Sequence, residues 1–281
     1  METVTSLTYK FGSREYDLSS RTYIMGILNV TPDSFSDGGR YFDVDQAISH
    51  GLQLVQDGAD IIDIGGESTR PGSENVSIEE EIHRVVPVIK QLTQKCNVPI
   101  SIDAYKHEVA TAALDAGAVI VNDISGLRYD NQMAATIAKY SGSVVLMHIK
   151  GTPKTMQENP QYEDVVQEVS DYLQESILLA LAAGIEQIII DPGIGFGKAL
   201  HHNLIIIQRI QEFQRLGYPV LVGPSRKSFI GAILHLPVDQ RLEGTAGAVA
   251  ASIMNGAQII RVHDVKEMKR VAMVLDSIIR E

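Results

Sequence analysis

The chain has 281 residues, a formal net charge of −11 and a single cysteine, Cys96. The acidic balance argues against a broad nucleic-acid or anionic-membrane surface, since either would need a basic face, and a lone cysteine excludes an intrachain disulfide or a cysteine-rich metal site. The first residues lack a signal-peptide pattern, and the longest apolar stretches are too short to span a bilayer. We therefore expect a cytoplasmic protein with no nucleic-acid or membrane partner.

The first predicted element is a β-hairpin. Residues 7–9 and 15–18 flank the turn signal Gly12-Ser13. Eight short runs rich in Val, Ile and Leu follow, and each is typical of a parallel strand buried on both faces. In chain order these runs cover residues 23–30, 61–65, 100–104, 119–124, 144–149, 188–191, 220–223 and 259–262.

Amphipathic segments that predict helices alternate with these runs. They cover residues 45–56, 78–93, 106–116, 131–140, 162–183, 203–215, 242–255 and 265–280. Even strand–helix units without a linker favour a closed (β/α)8 TIM barrel over a doubly wound open sheet. We predict a single-domain α/β fold, with a hairpin extension over residues 1–21 and the barrel over residues 22–281.

Polar residues recur at the carboxyl ends of the predicted strands, where barrels of this type carry their sites. They are Asn29, Asp63, Glu67, Asp103, Asn122, Asp123, His148, Asp191, Ser225, Arg226, Lys227, Arg261 and His263. Any single one is more often a helix cap or a strand-end hydrogen bonder. So many polar residues on otherwise apolar strands indicate a site, because buried polar groups need partners.

The charges of these residues sort by position along the chain. Carboxylates and an amide on strands 3, 4 and 6 suit a flat heterocycle that carries several N–H donors: Asp103, Asn122 and Asp191. Cations on the last two strands, with one from the second loop, suit a phosphate: Lys227, Arg261, His263 and Arg70. The sequence thus predicts a phosphorylated ligand with a nitrogen-rich ring.

Three segments rich in glycine follow predicted strands. Residues 31–39 and 67–72 form loops longer than most βα connections, and their composition fits lids over a site. Residues 193–198, with the sequence GIGFGK, lack the spacing of a phosphate-binding P-loop. Close backbone approach to a planar ligand is the better interpretation. We expect the neighbouring His201-His202 pair to be exposed to solvent.

Eight segments together resemble the dihydropteroate synthase family. The two most specific are MGILNVTPDSFSDGG at residues 25–39 and DIGGESTRPG at residues 63–72. The others are SID at 101–103, VND at 121–123, LMH at 146–148, DPGIGFGK at 191–198, SRKS at 225–228 and RVHD at 261–264. They extend in order from the first barrel strand to the last.

The resemblance implies roles for particular residues in joining a pterin pyrophosphate to p-aminobenzoate. The implied pterin-binding residues are Asp103, Asn122, Ile124, Met147, Asp191, Phe196, Lys227 and Arg261. Arg70, Arg261 and His263 would bind pyrophosphate, and Asn29 would ligate Mg²⁺. The implied p-aminobenzoate site consists of Phe35, Thr69, Arg70, Pro71 and Ser228. The implied catalytic residues are Asp103, Lys227, Arg261, His263 and Arg70.

The same resemblance implies a homodimer formed through late helices, and sensitivity to sulfonamides, which mimic p-aminobenzoate. Two alternatives use the same pterin residues. One is a methyltetrahydrofolate-binding methyltransferase domain, and the other is a non-catalytic pterin-binding barrel. The set of Arg70, Arg261 and His263 favours the synthase over the methyltransferase, because only the synthase needs to bind pyrophosphate. A non-catalytic barrel would be expected to lose Asn29, Arg70 or Lys227, and this chain keeps all three.

Overall fold

The computed structural model describes residues 7–31, 43–68 and 76–280. Within these ranges a short antiparallel hairpin precedes a sheet of eight parallel strands. The hairpin strands are β1 (Thr8–Phe11) and β2 (Arg14–Asp17). The barrel strands are β3 (Tyr23–Asn29), β4 (Ile61–Gly65), β5 (Ile100–Asp103), β6 (Ile120–Asp123), β7 (Ser143–Met147), β8 (Ile188–Asp191), β9 (Leu221–Val222) and β10 (Ile259–Val262).

The parallel strands form a ring, which confirms the predicted barrel. Strands β3 to β8 pair in chain order, and β10 lies between β3 and β9. A bridge between Ile190 and Val220 joins the two ends of the sheet, and the Ile190 N–H donates to the Pro219 carbonyl at 3.0 Å. A closed ring leaves its strands no free edge.

Helices pack around the ring. They are α1 (Val44–Gln56), α2 (Ile78–Lys95), α3 (His107–Asp115), α4 (Met133–Lys139), α5 (Val165–Ala182), α6 (Leu200–Gln208), α7 (Ser228–Leu234), α8 (Leu242–Met254) and α9 (Val265–Ile279). Acidic or hydroxyl side chains accept from free N–H groups at several helix starts, as Asp43 does for α1 and Ser77 for α2. Among the described residues, no helix is long and apolar enough to cross a membrane.

The alternation of side chains along each strand divides the core in two. Outward side chains such as Ile62 and Ile64 join the large cluster beneath the helices. Inward side chains near the amino ends, such as Ile61, Ile120 and Ile259, form a second cluster that fills the bottom of the barrel. Further along β4 the inward positions become Asp63 and Gly65, so the upper half of the barrel interior is polar.

The N-terminal hairpin caps the bottom of the barrel. Tyr9 and Phe11 belong to the inner apolar cluster, and the Tyr9 hydroxyl donates to the Ile188 carbonyl at 2.7 Å. Ser143 donates to the Lys10 carbonyl at 3.1 Å. This cap leaves the carboxyl ends of the strands as the open end of the barrel.

Candidate functional site

Four strands contribute to one hydrogen-bonded cluster at the open end. Arg261 on β10 donates from Nε to Oδ2 of Asp63 at 2.6 Å and from Nη2 to Oδ2 of Asp103 at 2.7 Å. Asn122 on β6 donates from Nδ2 to the same oxygen of Asp63 at 3.0 Å. Asp63 is completely buried, and Asn122 is 4% exposed. The barrel therefore brings together residues separated by up to 198 positions in the sequence.

Burial shifts the titration of the carboxylates in this region. It raises the pKa of Asp103 to about 7, against the opposing effect of the Arg261 guanidinium. It also raises the pKa of Asp191 to about 6, although the Gly193 N–H donates to Oδ1 of this carboxylate at 2.7 Å. Both groups can thus change charge near neutral pH, as expected for carboxylates that bind a ligand.

Lys227 supplies a positive charge next to the carboxylates. Its ammonium lies 4.0 Å from the centre of the Phe196 ring, within cation–π range. Burial, and then the neighbouring Arg261, lower its pKa to about 8, while Asp191 and Asp103 oppose that shift. A Cβ on Gly195 would lie 3.0 Å from Cδ of Lys227, so the glycine is what allows the lysine to pack there.

An apolar wall faces the polar cluster. Ile124 and Met147 are 3% and 4% exposed and share a small cluster with Ile149 and Met156, against which Phe196 packs. The wall lies at the ends of β6 and β7, next to Asn122 and Asp191 on β6 and β8. Hydrogen-bond acceptors beside flat apolar contacts suit a heteroaromatic ring.

The segment at residues 193–198 is anchored by its own last residue, Lys198, for which the sequence predicted no separate role. Lys198 is 2% exposed, and its ammonium lies 2.7 Å from Nδ1 of His148 and 3.0 Å from the Phe196 carbonyl. Burial lowers the pKa of Lys198 well below its usual value. A Cβ on Gly193 would lie 1.9 Å from the His148 carbonyl, so only glycine fits there. Lys198 therefore supports the loop that carries Phe196.

His263 follows β10, and its environment keeps it neutral. Burial lowers its pKa to about 3, with further lowering from Arg261 and Arg226. Its Nδ1 lies 3.0 Å from the Ser225 hydroxyl. The Arg226 guanidinium pairs with Asp264. The sequence predicted His263 as a cation that faces a phosphate, but with its pKa lowered to about 3 it is a neutral imidazole near neutral pH.

Asn29 ends β3 opposite Gly65, and its side chain is half-buried. A Cβ on Gly65 would lie 3.7 Å from Oδ2 of Asp103 and 3.9 Å from Oδ1 of Asn29. The glycine thus leaves space between a carboxylate oxygen and an amide oxygen. Oxygen ligands of this kind are those that Mg²⁺ prefers, so the residues present fit this ion.

The predicted p-aminobenzoate residues are only partly described. Ser228 is exposed at the start of α7, next to Lys227. Phe35, Thr69, Arg70 and Pro71 lie outside the described residues. Hydrogen bonds connect Glu67, which follows β4, to Val76, which precedes α2. Glu67 accepts from the Val76 N–H at 3.2 Å and from Lys106 at 2.6 Å. Lys106 also donates to the Val76 carbonyl at 2.8 Å and to Glu81 at 2.7 Å.

A second group of metal-ligand side chains has a structural explanation. His107, Glu108 and Asp130 place ligand atoms within 4.8 Å of one another. Asp130 accepts from the backbone N–H of His107 at 2.9 Å and from that of Gln132 at 2.9 Å. The carboxylate therefore caps the start of α3, as expected for a first helical turn.

Comparisons with known proteins show which family the chain resembles. A family model described as "Pterin binding enzyme" matches residues 25–263. The dihydropteroate synthase of Clostridium beijerinckii is 48% identical over 96% of this chain and 99% of its own length. A Clostridium difficile dihydropteroate synthase solved with pteroic acid is 47% identical, with a TM-score of 0.89, and the match covers 95% of this chain and 100% of that one. A Yersinia pestis enzyme in a sulfonamide complex is 42% identical, with a TM-score of 0.93 and coverage of 98% and 100%.

Proposed function

Because this chain belongs to the dihydropteroate synthase family of pterin-binding enzymes, we propose that the cluster at the open end of its barrel is where a pterin and p-aminobenzoate are joined. The chain is a transferase of folate biosynthesis. It condenses 6-hydroxymethyl-7,8-dihydropterin pyrophosphate with p-aminobenzoate to give 7,8-dihydropteroate and pyrophosphate. The observation that carries the assignment is the convergence of Asp103, Asn122, Asp191 and Lys227 beside one apolar wall.

The pterin lies between these groups in our proposal. Asp103, Asn122 and Asp191 accept hydrogen bonds from its N–H groups, and Lys227 lies near its ring carbonyl. Ile124, Met147 and Phe196 line the flat faces of the ring. Since pteroic acid contains a pterin joined to p-aminobenzoate, the Clostridium difficile complex supports one continuous site for the two substrates.

The leaving pyrophosphate is bound by cations at the rim. Arg261 uses Nε and one N–H of Nη2 within the cluster, so three of its five N–H groups stay available for a phosphate. Arg70, as a second cation, and His263, as a neutral imidazole that can donate a hydrogen bond, complete the proposed pyrophosphate site. Asn29 is the residue proposed to hold Mg²⁺, which when bound neutralises charge on the departing pyrophosphate.

The second substrate needs little activation. The arylamine of p-aminobenzoate is neutral near pH 7 and attacks the pterin methylene carbon directly as the C–O bond to pyrophosphate breaks. Asp103 stabilises positive charge that develops on the pterin during this step. Phe35, Thr69, Arg70, Pro71 and Ser228 are proposed to shape the p-aminobenzoate site. A sulfonamide would compete there, in agreement with the Yersinia pestis complex.

Two further proposals concern the setting of the enzyme. A single cysteine, Cys96, fits a reducing compartment, and we place the enzyme in the cytoplasm. We also propose a homodimer.

A coupling assay with the pterin pyrophosphate and labelled p-aminobenzoate, with and without Mg²⁺, tests the reaction. We expect dihydropteroate only when Mg²⁺ is present, and we expect Asn29→Ala to need a higher Mg²⁺ concentration for half-maximal turnover. The exposed Asn131→Ala is the matched control and should behave like the wild type. Tight pterin binding without product would favour a non-catalytic pterin-binding barrel. An unchanged Mg²⁺ requirement in Asn29→Ala would remove this residue from the metal site.

A further inference from the structure

Asp63 holds the side chains of two other residues of the site. It lies on the inward face of β4 and is completely buried. One oxygen, Oδ2, accepts from Arg261 at 2.6 Å and from Asn122 at 3.0 Å. The other oxygen, Oδ1, is buried and has no hydrogen-bond partner in the part of the chain that the structure describes. A single carboxylate oxygen therefore organises side chains from β6 and β10.

This contact fixes which way the Asn122 amide points. An asparagine amide accepts at its oxygen and donates at its nitrogen, whereas a carboxylate can only accept. The reversed amide would place its oxygen about 3 Å from Oδ2 of Asp63, so that two acceptors would face each other. Two groups of the Asn122 amide then stay available for a ligand. They are the oxygen Oδ1, which accepts, and the second N–H of Nδ2, which donates.

That pattern distinguishes two classes of bicyclic ring. A pterin carries a 2-amino group, which donates, next to the ring nitrogen N1, which accepts. A lumazine, its 2-oxo counterpart, carries an accepting oxygen next to an N1–H donor, so its pattern is reversed. We propose that Asp63 is a specificity-determining positioning residue, which fixes the Asn122 amide in the orientation that binds 2-amino pterins and rejects 2-oxo lumazines. The inference rests on the proposed function, which places a pterin in this pocket.

Within the described part of the chain, the bond to Asp63 is the one side-chain hydrogen bond that the Asn122 amide makes. Arg261 carries only donors, so it cannot accept from Nδ2 of Asn122. Arg261 also donates to Asp103 at 2.7 Å, and we expect this bond to persist when Asp63 is replaced. Loss of the Asp63 acceptor should therefore free the amide while the guanidinium remains anchored.

The test compares dissociation constants for 6-hydroxymethylpterin and 6-hydroxymethyllumazine, measured by fluorescence titration. Asp63→Leu removes the acceptor, and Asp63→Val does so with a smaller side chain. Asp63→Asn keeps one accepting oxygen in place. Asp60→Leu is the matched control, because Asp60 also accepts from a guanidinium, that of Arg21 at 2.9 Å, but precedes β4 at the opposite end of the barrel. Thermal melts of all variants show which of them fold.

We expect the wild type to prefer the pterin by roughly 100-fold or more, because a site built for one hydrogen-bond pattern leaves polar groups unpaired with the other. Asp63→Leu and Asp63→Val should reduce that preference by about tenfold or more. Asp63→Asn and Asp60→Leu should keep it within about threefold, since each leaves the acceptor beside Asn122 in place.

Two results would overturn the inference. One is a wild-type preference in folded Asp63→Leu or Asp63→Val, which would show that something else orients the amide. The other is equal loss of preference in Asp63→Asn, which would make the carboxylate charge the cause. If Asp63→Leu does not fold, Asp63→Val and Asp63→Asn decide the question. Equal binding of both rings by the wild type would overturn the inference as well, whereas a wild type that binds neither ring would contradict the proposed pterin site itself.

Discussion

Burial moves the pKa values of three charged residues in the cluster toward 7, upwards for the two carboxylates and downwards for the lysine. Burial raises the pKa of Asp191 to about 6 and that of Asp103 to about 7, and it lowers the pKa of Lys227 to about 8. These groups interact with one another, so a proton gained or lost by one of them shifts the pKa of the others. The ligand-free site thus has its full set of charges only in a narrow pH range.

We therefore predict a bell-shaped pH dependence of kcat/KM. On the acid side, Asp103 and then Asp191 gain protons below about pH 7 and pH 6 and lose strength as acceptors for pterin N–H groups. On the alkaline side, Lys227 loses its charge above about pH 8. The maximum should fall between these limits when initial rates are measured at low pterin pyrophosphate concentration.

The variant Lys227→Arg tests whether Lys227 causes the decline of kcat/KM at alkaline pH. Lys227→Arg lowers activity, but it should move the alkaline decline upwards by two pH units or more, because a guanidinium stays protonated there. If kcat/KM of this variant still declines near pH 8, the group that loses its proton there belongs to the substrate and not to Lys227.

Residues whose chemistry depends on distant neighbours were the hardest to predict from sequence. The position of Asp63 on an inward strand face follows from alternation, but its two donors are 59 and 198 positions away. His202 was predicted to be exposed, and this was wrong. It is 6% exposed, accepts from the Ala199 N–H at 3.1 Å, and packs on the Tyr162 ring. The contact with Tyr162 comes from a distant part of the chain and leaves no local signal in the sequence.

The hairpin formed by β1 and β2 should contribute to stability and not to catalysis. Tyr9→Phe removes the hydrogen bond to the Ile188 carbonyl while keeping the ring in the inner cluster. We expect the free energy of unfolding in urea to fall by about 1 kcal/mol, with kcat unchanged.

Tyr140→Phe is the matched control for the hairpin, because the Tyr140 hydroxyl donates to Asp115 at an exposed site, at 2.6 Å. Its effect should be below about 0.5 kcal/mol. Equal losses in the two variants, or a change in kcat for Tyr9→Phe, would contradict the assignment of the hairpin as a purely stabilising cap.

Periodic patterns predicted the elements well where they were long and regular. Each predicted barrel strand overlaps an observed one, because a strand buried on both faces gives a continuous apolar run. The single helix predicted over residues 203–215 is instead α6 followed by a 3₁₀ helix, Ile210–Leu216. Helix α7 was missed, since its seven residues are too few to establish a period.

Among the described residues, exposed apolar side chains form a short patch on α5, with Leu178, Leu179 and Leu181, and two larger surfaces. The broader one lies on helices α6, α7 and α8 and their connections, and it includes Leu200, Leu204, Ile233, Leu234, Leu236, Val238 and Leu242. The narrower one lies on α9 alone and includes Met273, Val274, Ile278 and Ile279. We predict that the proposed homodimer forms through the broader surface, because a patch spread over three adjacent helices can bury the area that a stable interface needs.

Charge substitutions on the two surfaces test this assignment. Leu204→Glu and Ile233→Glu, at side chains 42% and 48% exposed, should give monomers in sedimentation velocity, because a two-fold interface would bury each new charge twice. Val274→Glu on α9, at a side chain 61% exposed, should stay dimeric. The opposite result would move the interface to α9. Because Asp63, Asp103, Asn122 and Arg261 all come from one chain, we expect the monomeric variants to bind 6-hydroxymethylpterin as tightly as the wild type.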